Sequence, residues 1–307
     1  MQRRNFIKRT AATLGALSFP LIGNDILAKS SAPMPGNIAG QTPRFKKSFM
    51  WAMLRMEGSV ADKCKALKTA GFAGIEPSSH MDRKEVIDAM KANGLVCSSV
   101  CSTSPGGRSM SSPDAAVRQQ SIEGLIVALE DAKTYGTDAV LVVPGAVSDI
   151  ISYDDCWKLT VEGVKKILPT AEKLKVNICI ENVWNNFLLS PMEAAYYVDQ
   201  FNSPYVKFYF DCGNICNYGW PEQWINILGD RIGRIHIKEF HRQNAEKLGR
   251  REGFNVKLTE GDINWAKVMA EIRKSYKSDW LVSEQSTTST PEDLKDLSNR
   301  FDKIINL

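Results

Sequence analysis

The sequence lacks the marks of several common function classes. Only three histidines occur in 307 residues, His80, His236 and His241, too few for a histidine-rich, multi-zinc centre. There is no CxxC pair, and the seven cysteines (Cys64, Cys97, Cys101, Cys156, Cys179, Cys212 and Cys216) are odd in number, so neither a disulfide framework nor a zinc knuckle is indicated. Cys97 and Cys179 lie inside apolar runs, where a free thiol behaves as a small buried hydrophobe. No GxGxxG turn or P-loop is present, which removes the usual nucleotide-cradling signatures. No apolar run is long enough to span a bilayer, and no tract is of low complexity.

Positive charge is scarcer than the formal +4 suggests. Gln2-Arg3-Arg4-Asn5-Phe6-Ile7-Lys8 precedes a modestly apolar stretch, Thr10 to Ile22, and then the small residue Ala28. That order reads as an address, because Gly15, Pro20 and Gly23 would interrupt an amphipathic helix. It resembles a twin-arginine export signal, with periplasmic localisation and the Tat export machinery as its implied destination and partner. Residues 1–28 carry four cations against one acid, so the remaining body is near neutral, at about +1. No basic stripe is left for nucleic acid or anionic membrane, and no stable membrane insertion is expected after export. The expected partner is a small neutral or weakly charged molecule.

After a linker over residues 29–45, the body from 46 to 307 alternates β-rich apolar runs with longer stretches of helical periodicity, the pattern of a parallel sheet. The runs expected as strands are Ser48 to Met53, Phe72 to Glu76, Leu95 to Ser102, Ala139 to Val143, Val176 to Glu181, Val206 to Asp211, Ile232 to Lys238 and Trp280 to Glu284. Ser190-Pro191-Met192-Glu193 and Thr290-Pro291-Glu292-Asp293 each offer an N-cap, a proline at N1 and an acid at N3. Gly71, Gly94 and Gly136 stand where helices should end. Eight βα units without a domain break predict a single-domain α/β fold, a (β/α)8 TIM barrel, over an open doubly wound sheet. The longest connection, Glu239 to Asp262, lies on the face where barrels carry their sites and is the expected lid.

Four runs finish on a potential ligand: Glu181 in VNICIEN, Asp211 in VKFYFDCGN, His236 in RIHIKEF and Glu284 in WLVSEQ. One such charge commonly caps the next helix; four on consecutive strands point to a shared site at the C-terminal barrel face. Three carboxylates and one imidazole form a mostly oxygen ligand set for one divalent ion, Mn²⁺ foremost, with Mg²⁺, Co²⁺ or Zn²⁺ able to compete. Such an ion polarises a sugar carbonyl and its neighbouring hydroxyl, while two facing glutamates exchange a proton at carbon.

These four residues, with Glu260-Gly261-Asp262-Ile263-Asn264-Trp265 between the last two, resemble the xylose isomerase-like sugar isomerase and epimerase superfamily. The likeness covers the whole body and is strongest from Val176 to Glu284. It implies that Glu181, Asp211, His236 and Glu284 hold one metal and that Glu181 and Glu284 move the proton, as in ketose 3-epimerases. It also implies a substrate contact from Arg242, six residues after the histidine, and a homo-oligomer. Two positions depart from the pattern: Asn214 stands where several relatives have a second histidine, and Phe187 where some have a substrate-contacting glutamate. Lys238 shares a strand face with His236 and is expected either to reach substrate or to pair with Glu239. Trp184 and Trp220 are candidates for stacking on a sugar ring. His80 and His241 end no strand and are read as ordinary loop residues.

The expected activity is isomerisation or epimerisation of an unphosphorylated ketose or keto-sugar, since export disfavours sugar phosphates. A lyase or hydrolase that splits a 3-keto-glycoside by the same proton abstraction is the alternative. A DNA-repair endonuclease, which the superfamily fold also hosts, is disfavoured by the few histidines and the near-neutral body. The paired glutamates argue against a sugar-binding module without turnover.

Overall fold

The computed structural model describes residues 44–103, 109–285 and 290–307. Residues 1–28, read from the sequence as an export signal, and most of the expected linker lie outside the described residues. Arg44 and Phe45, assigned to the linker, already belong to the barrel: Arg44 donates to the carbonyl of Arg273, and the buried Phe45 ring stacks on Tyr276.

Strands and helices alternate in chain order: β1 Lys46–Met50, α1 Val60–Ala70, β2 Gly74–Glu76, α2 Arg83–Asn93, β3 Val96–Cys97, β4 Val100–Cys101, α3 Ala115–Tyr135, β5 Ala139–Val142, α4 Tyr153–Leu174 and β6 Asn177–Ile180. They continue with α5 Pro191–Asp199, β7 Val206–Asp211, α6 Cys212–Cys216, α7 Pro221–Leu228, β8 Ile232–Ile237, α8 Arg242–Leu248, α9 Trp265–Ser275, β9 Trp280–Ser283 and α10 Pro291–Ile305. The caps follow the sequence. Ser190 and Thr290 accept from the backbone N–H of Glu193 and Asp293, and Gly71, Gly94 and Gly136 close α1, α2 and α3 at positive φ.

All strand pairings are parallel, and the order is β3-β2-β1-β9-β8-β7-β6-β5-β4. The two ends of that order are halves of one expected strand, Leu95 to Ser102, broken at Ser98 and Ser99. The break has a cause in hydrogen bonding. The Ser98 carbonyl is taken by Thr137 Oγ1 and Arg234 Nε, both at 2.8 Å, leaving it unavailable to a strand neighbour. Beyond the break, Ser79 N–H donates to the Cys101 carbonyl at 2.9 Å and Cys101 N–H to the Pro77 carbonyl at 2.9 Å, which links the β2 end to β4. Eight predicted strands thus appear as nine pieces of a (β/α)8 TIM barrel.

Alternation along each strand divides the apolar residues into two bodies. Met50, Cys101, Ala139, Leu141, Cys179, Tyr209 and Val282 fill the barrel interior. A much larger body lies between sheet and helices. All seven cysteines are free and buried. No helix among the described residues is long and apolar enough to cross a membrane.

Candidate metal centre and active site

On β8 the inward residues Arg234 and His236, and Lys238 one residue past its end, stack from the bottom of the barrel to its mouth. Asp211, the last residue of β7, pairs in register with His236. Glu181 and Glu284 come one residue after β6 and β9, and their amides extend the ladder to the carbonyls of Val142 and Ile237 at 3.0 and 3.2 Å. The shared C-terminal end of four neighbouring strands therefore brings the side chains together. One ligand atom from each of Glu181, Asp211, His236 and Glu284 lies within 4.8 Å of the others. His236 and Asp211 are fully buried, whereas Glu284 opens onto a cavity.

Three of the ligand atoms have been left free by the rest of the fold. Asp211 spends one carboxylate oxygen on the backbone N–H of Asn214, capping α6, and Oδ2 remains. His236 Nδ1 faces the acids, 3.1 Å from Glu284 Oε2, 3.5 Å from Glu181 Oε1 and 3.7 Å from Asp211 Oδ2. Asp211 Oδ2, His236 Nδ1 and Glu284 Oε2 are buried without a hydrogen bond of good geometry, although Lys238 Nζ stands 3.0 Å from the last. Buried polar atoms seldom go unsatisfied, so three that converge on one point fit a cation.

Charge shapes the group further. Burial pushes the Glu181 and Asp211 carboxyls above the ordinary range. Burial acts likewise on Glu284, but Lys238 and His236 outweigh it and hold that carboxyl well below its usual value. Burial disfavours charge on His236 and Lys238, and the surrounding carboxylates reverse this and raise both. Lys238 pairs with Glu284 and Asp211, and its expected partner Glu239 faces elsewhere.

Asn214 joins the parts of the site. Its Oδ1 accepts from Lys238 Nζ and Trp184 Nε1, each at 3.2 Å, and its Nδ2 donates to Glu181 Oε1 at 3.4 Å. The cavity above the cluster measures about 920 Å³, and Glu284, Lys238, Asn214 and Trp184 lie along one side of it. Met53, Leu125, Val143 and Phe254 make other parts of its wall apolar. The expected lid is a tied-down wall. Glu239 accepts from the backbone of Phe240, Thr259 and Ile263 and from Trp265 Nε1, and Gln285 holds the Val256 carbonyl at 2.6 Å.

Several expected residues stand elsewhere. Arg242 donates to the carbonyls of Cys216 and Gly219 at 3.0 and 2.6 Å, and its guanidinium lies 5.2 Å from the Trp220 ring. Arg242 and Trp220 are thus joined to each other, and neither lines the cavity. Phe187 is fully buried among Tyr153, Trp157 and Tyr197. His241 caps α8, and the amide N–H of His80 donates to Asp131. One residue went unnoticed in the sequence: Glu76, fully buried at the end of β2, reaches His236 Nε2 at 3.0 Å. The rule that singled out the other strand ends, a charge closing an apolar run, applies to it equally.

Solved structures of similar fold include a D-psicose 3-epimerase in the presence of D-fructose, with a TM-score of 0.69 and 16% identity over 84% of this chain and 98% of that one. They also include the 3-keto-D-glucoside 4-epimerase YcjR of E. coli, with a TM-score of 0.72 and 14% identity over 86% of this chain and 100% of that one. The IOLI protein with a bound zinc atom gives a TM-score of 0.72 and 14% identity over 85% of this chain and 98% of that one. Among curated proteins, the L-ribulose-5-phosphate 3-epimerase UlaE of Escherichia coli O1:K1 is 23% identical over 245 residues, covering 74% of this chain and 83% of the relative. Residues 64–303 match the model of the xylose isomerase-like TIM barrel family, and the chain belongs to that family.

Proposed function

We propose that this protein is a divalent-metal-dependent sugar isomerase or epimerase acting on an unphosphorylated ketose or related keto-sugar. The observation that carries the reading is the convergence of Glu181, Asp211, His236 and Glu284, three of them with a buried ligand atom that has no hydrogen bond. The epimerase relatives support it. Three carboxylate oxygens and an imidazole nitrogen suit Mn²⁺, with Mg²⁺, Co²⁺ or Zn²⁺ as competitors. When bound, such an ion supplies polarisation of a carbonyl and the hydroxyl beside it.

The chain's own residues do the rest. One of Glu181 and Glu284 takes the proton from the carbon next to the carbonyl, and the other returns a proton, to the opposite face for epimerisation. Asn214 steadies Glu181, Lys238 steadies Glu284, and Trp184, its ring packed on Phe254 with the Arg250 guanidinium over it, lines the cavity beside them. Export to the periplasm belongs to this reading and rests on the Arg3-Arg4 pattern. It favours an unphosphorylated substrate, in contrast to the 5-phosphate in the name of the UlaE relatives.

The test is solvent deuterium uptake into a panel of ketoses and 3-keto-glycosides. Uptake should vanish on EDTA treatment and return with Mn²⁺ or Co²⁺; uptake indifferent to chelation would sink the metal reading. The cavity favours one second reading, cleavage of a 3-keto-glycoside. Its volume of about 920 Å³ lies near the upper end of the roughly 300–1,000 Å³ of ligand pockets that take drug-sized molecules, which are larger than a single hexose. In that reaction the proton next to the carbonyl leaves and the bond to the glycosidic oxygen breaks, with a proton delivered to the departing aglycone. Release of an aglycone from 3-keto-glycosides, with free ketoses untouched, would replace the epimerase reading.

A further inference from the structure

We infer that Glu76 is the positioning residue of the metal centre: its carboxylate holds the His236 ring so that Nε2 carries the hydrogen and Nδ1 turns its lone pair toward Glu181, Asp211 and Glu284. The inference rests on the metal reading above. Glu76 Oε2 lies 3.0 Å from His236 Nε2, and both side chains are fully buried. Because a carboxylate only accepts, the shared hydrogen belongs to Nε2. With a cation in place of a proton at the cluster the ring is neutral, and its one remaining lone pair lies on Nδ1, the atom that faces the three acids.

The other carboxylate oxygen shows that this is a built contact. Glu76 Oε1 accepts from Tyr209 Oη at 2.6 Å and from Ser99 Oγ at 2.7 Å. These donors fix the carboxylate and leave only Oε2 for the imidazole. The Tyr209 ring also lies against the His236 ring, with centroids 4.3 Å apart. Glu76, Tyr209 and His236 therefore form a closed triangle across the barrel interior, from β2, β7 and β8. Each side of it restricts rotation of the imidazole. Glu76 itself meets the nitrogen turned away from the ligand cluster, so it acts through His236 and does not join the four.

The test is Co²⁺ titration calorimetry on the full chain and its E76Q and Y209F variants, with circular dichroism to establish folding. The amide of E76Q keeps the shape but is a weaker, uncharged acceptor, so Co²⁺ affinity should fall about 10- to 100-fold. Y209F leaves the carboxylate–imidazole bond in place and should cost less than about threefold on the same scale. A folded E76Q that binds Co²⁺ as tightly as the wild type overturns the inference. A second measurement needs no variant: with only three histidines, ¹⁵N ring shifts of the Zn²⁺-loaded wild type are assignable. They should show His236 protonated at Nε2 and metal-shifted at Nδ1; the opposite tautomer overturns the role. If the wild type takes up neither ion, the metal reading itself falls, which separates that failure from a failure of Glu76.

Discussion

At the scale of single residues, the side chains that converge at the strand ends differ from those that brace the loops around them. Glu181 and Glu284 are each within reach of the imidazole, and both belong to the proposed proton transfer. Glu181→Gln and Glu284→Gln should each slow deuterium exchange by about 10²- to 10⁴-fold while the melting temperature stays close to that of the wild type. Full exchange in either variant would remove the two-base mechanism. Arg242 is the opposite case. Family resemblance gives it a substrate contact, but here its guanidinium ties two carbonyls of the α6–α7 turn and covers Trp220. Arg242→Ala should therefore cost about 1–3 kcal/mol of stability through those lost bonds. KM should stay within about twofold, because no uniform binding to substrate is removed. A KM raised tenfold or more at unchanged melting temperature would restore the substrate role.

At the scale of elements, Glu239 shows why the long connection after β8 is a wall. Its carboxylate receives four N–H donors from Phe240, Thr259, Ile263 and Trp265, so the chain must return to it before α9 begins. Glu239→Gln would place an amide NH₂ among those donors and leave at least one unsatisfied, a cost of about 2 kcal/mol or more. Hydrogen exchange of residues 250–264 should quicken in that variant; protection equal to the wild type would mean the connection is held by other contacts. Such a node joins residues far apart along the chain, and periodicity cannot reveal it. The same limit explains the broken third strand. The run from Leu95 to Ser102 reads as one strand, but the carbonyl of Ser98 is claimed by Thr137 and by Arg234, a residue more than a hundred positions away. Glu181, Asp211, His236 and Glu284 were legible because parallel strands put all their C-terminal ends on one face. Glu76 obeys that rule and escaped notice only because its partner, His236, is known from the fold.

At the scale of the whole molecule, the seven cysteines bear on where the protein can work. An exported chain meets an oxidising compartment, where free thiols become disulfides if they are accessible. Here all seven are buried and unpaired, most between sheet and helices and two, Cys101 and Cys179, inside the barrel. Burial pushes Cys64, Cys156 and Cys216 up to about 11 and Cys179 to about 12. A thiol at 11 is only about one part in a thousand thiolate at pH 8, and the thiolate is the reactive form. Access and ionisation thus oppose oxidation together, and raising the pH relaxes only the second. Protein recovered from the periplasmic fraction should leave all seven thiols unlabelled by a thiol reagent at pH 8 while folded, and release all seven on denaturation. Rapid labelling of even one thiol in the folded protein would show that the barrel opens where the structure is closed. Recovery solely from the cytoplasm would instead remove the export that makes their sealing matter.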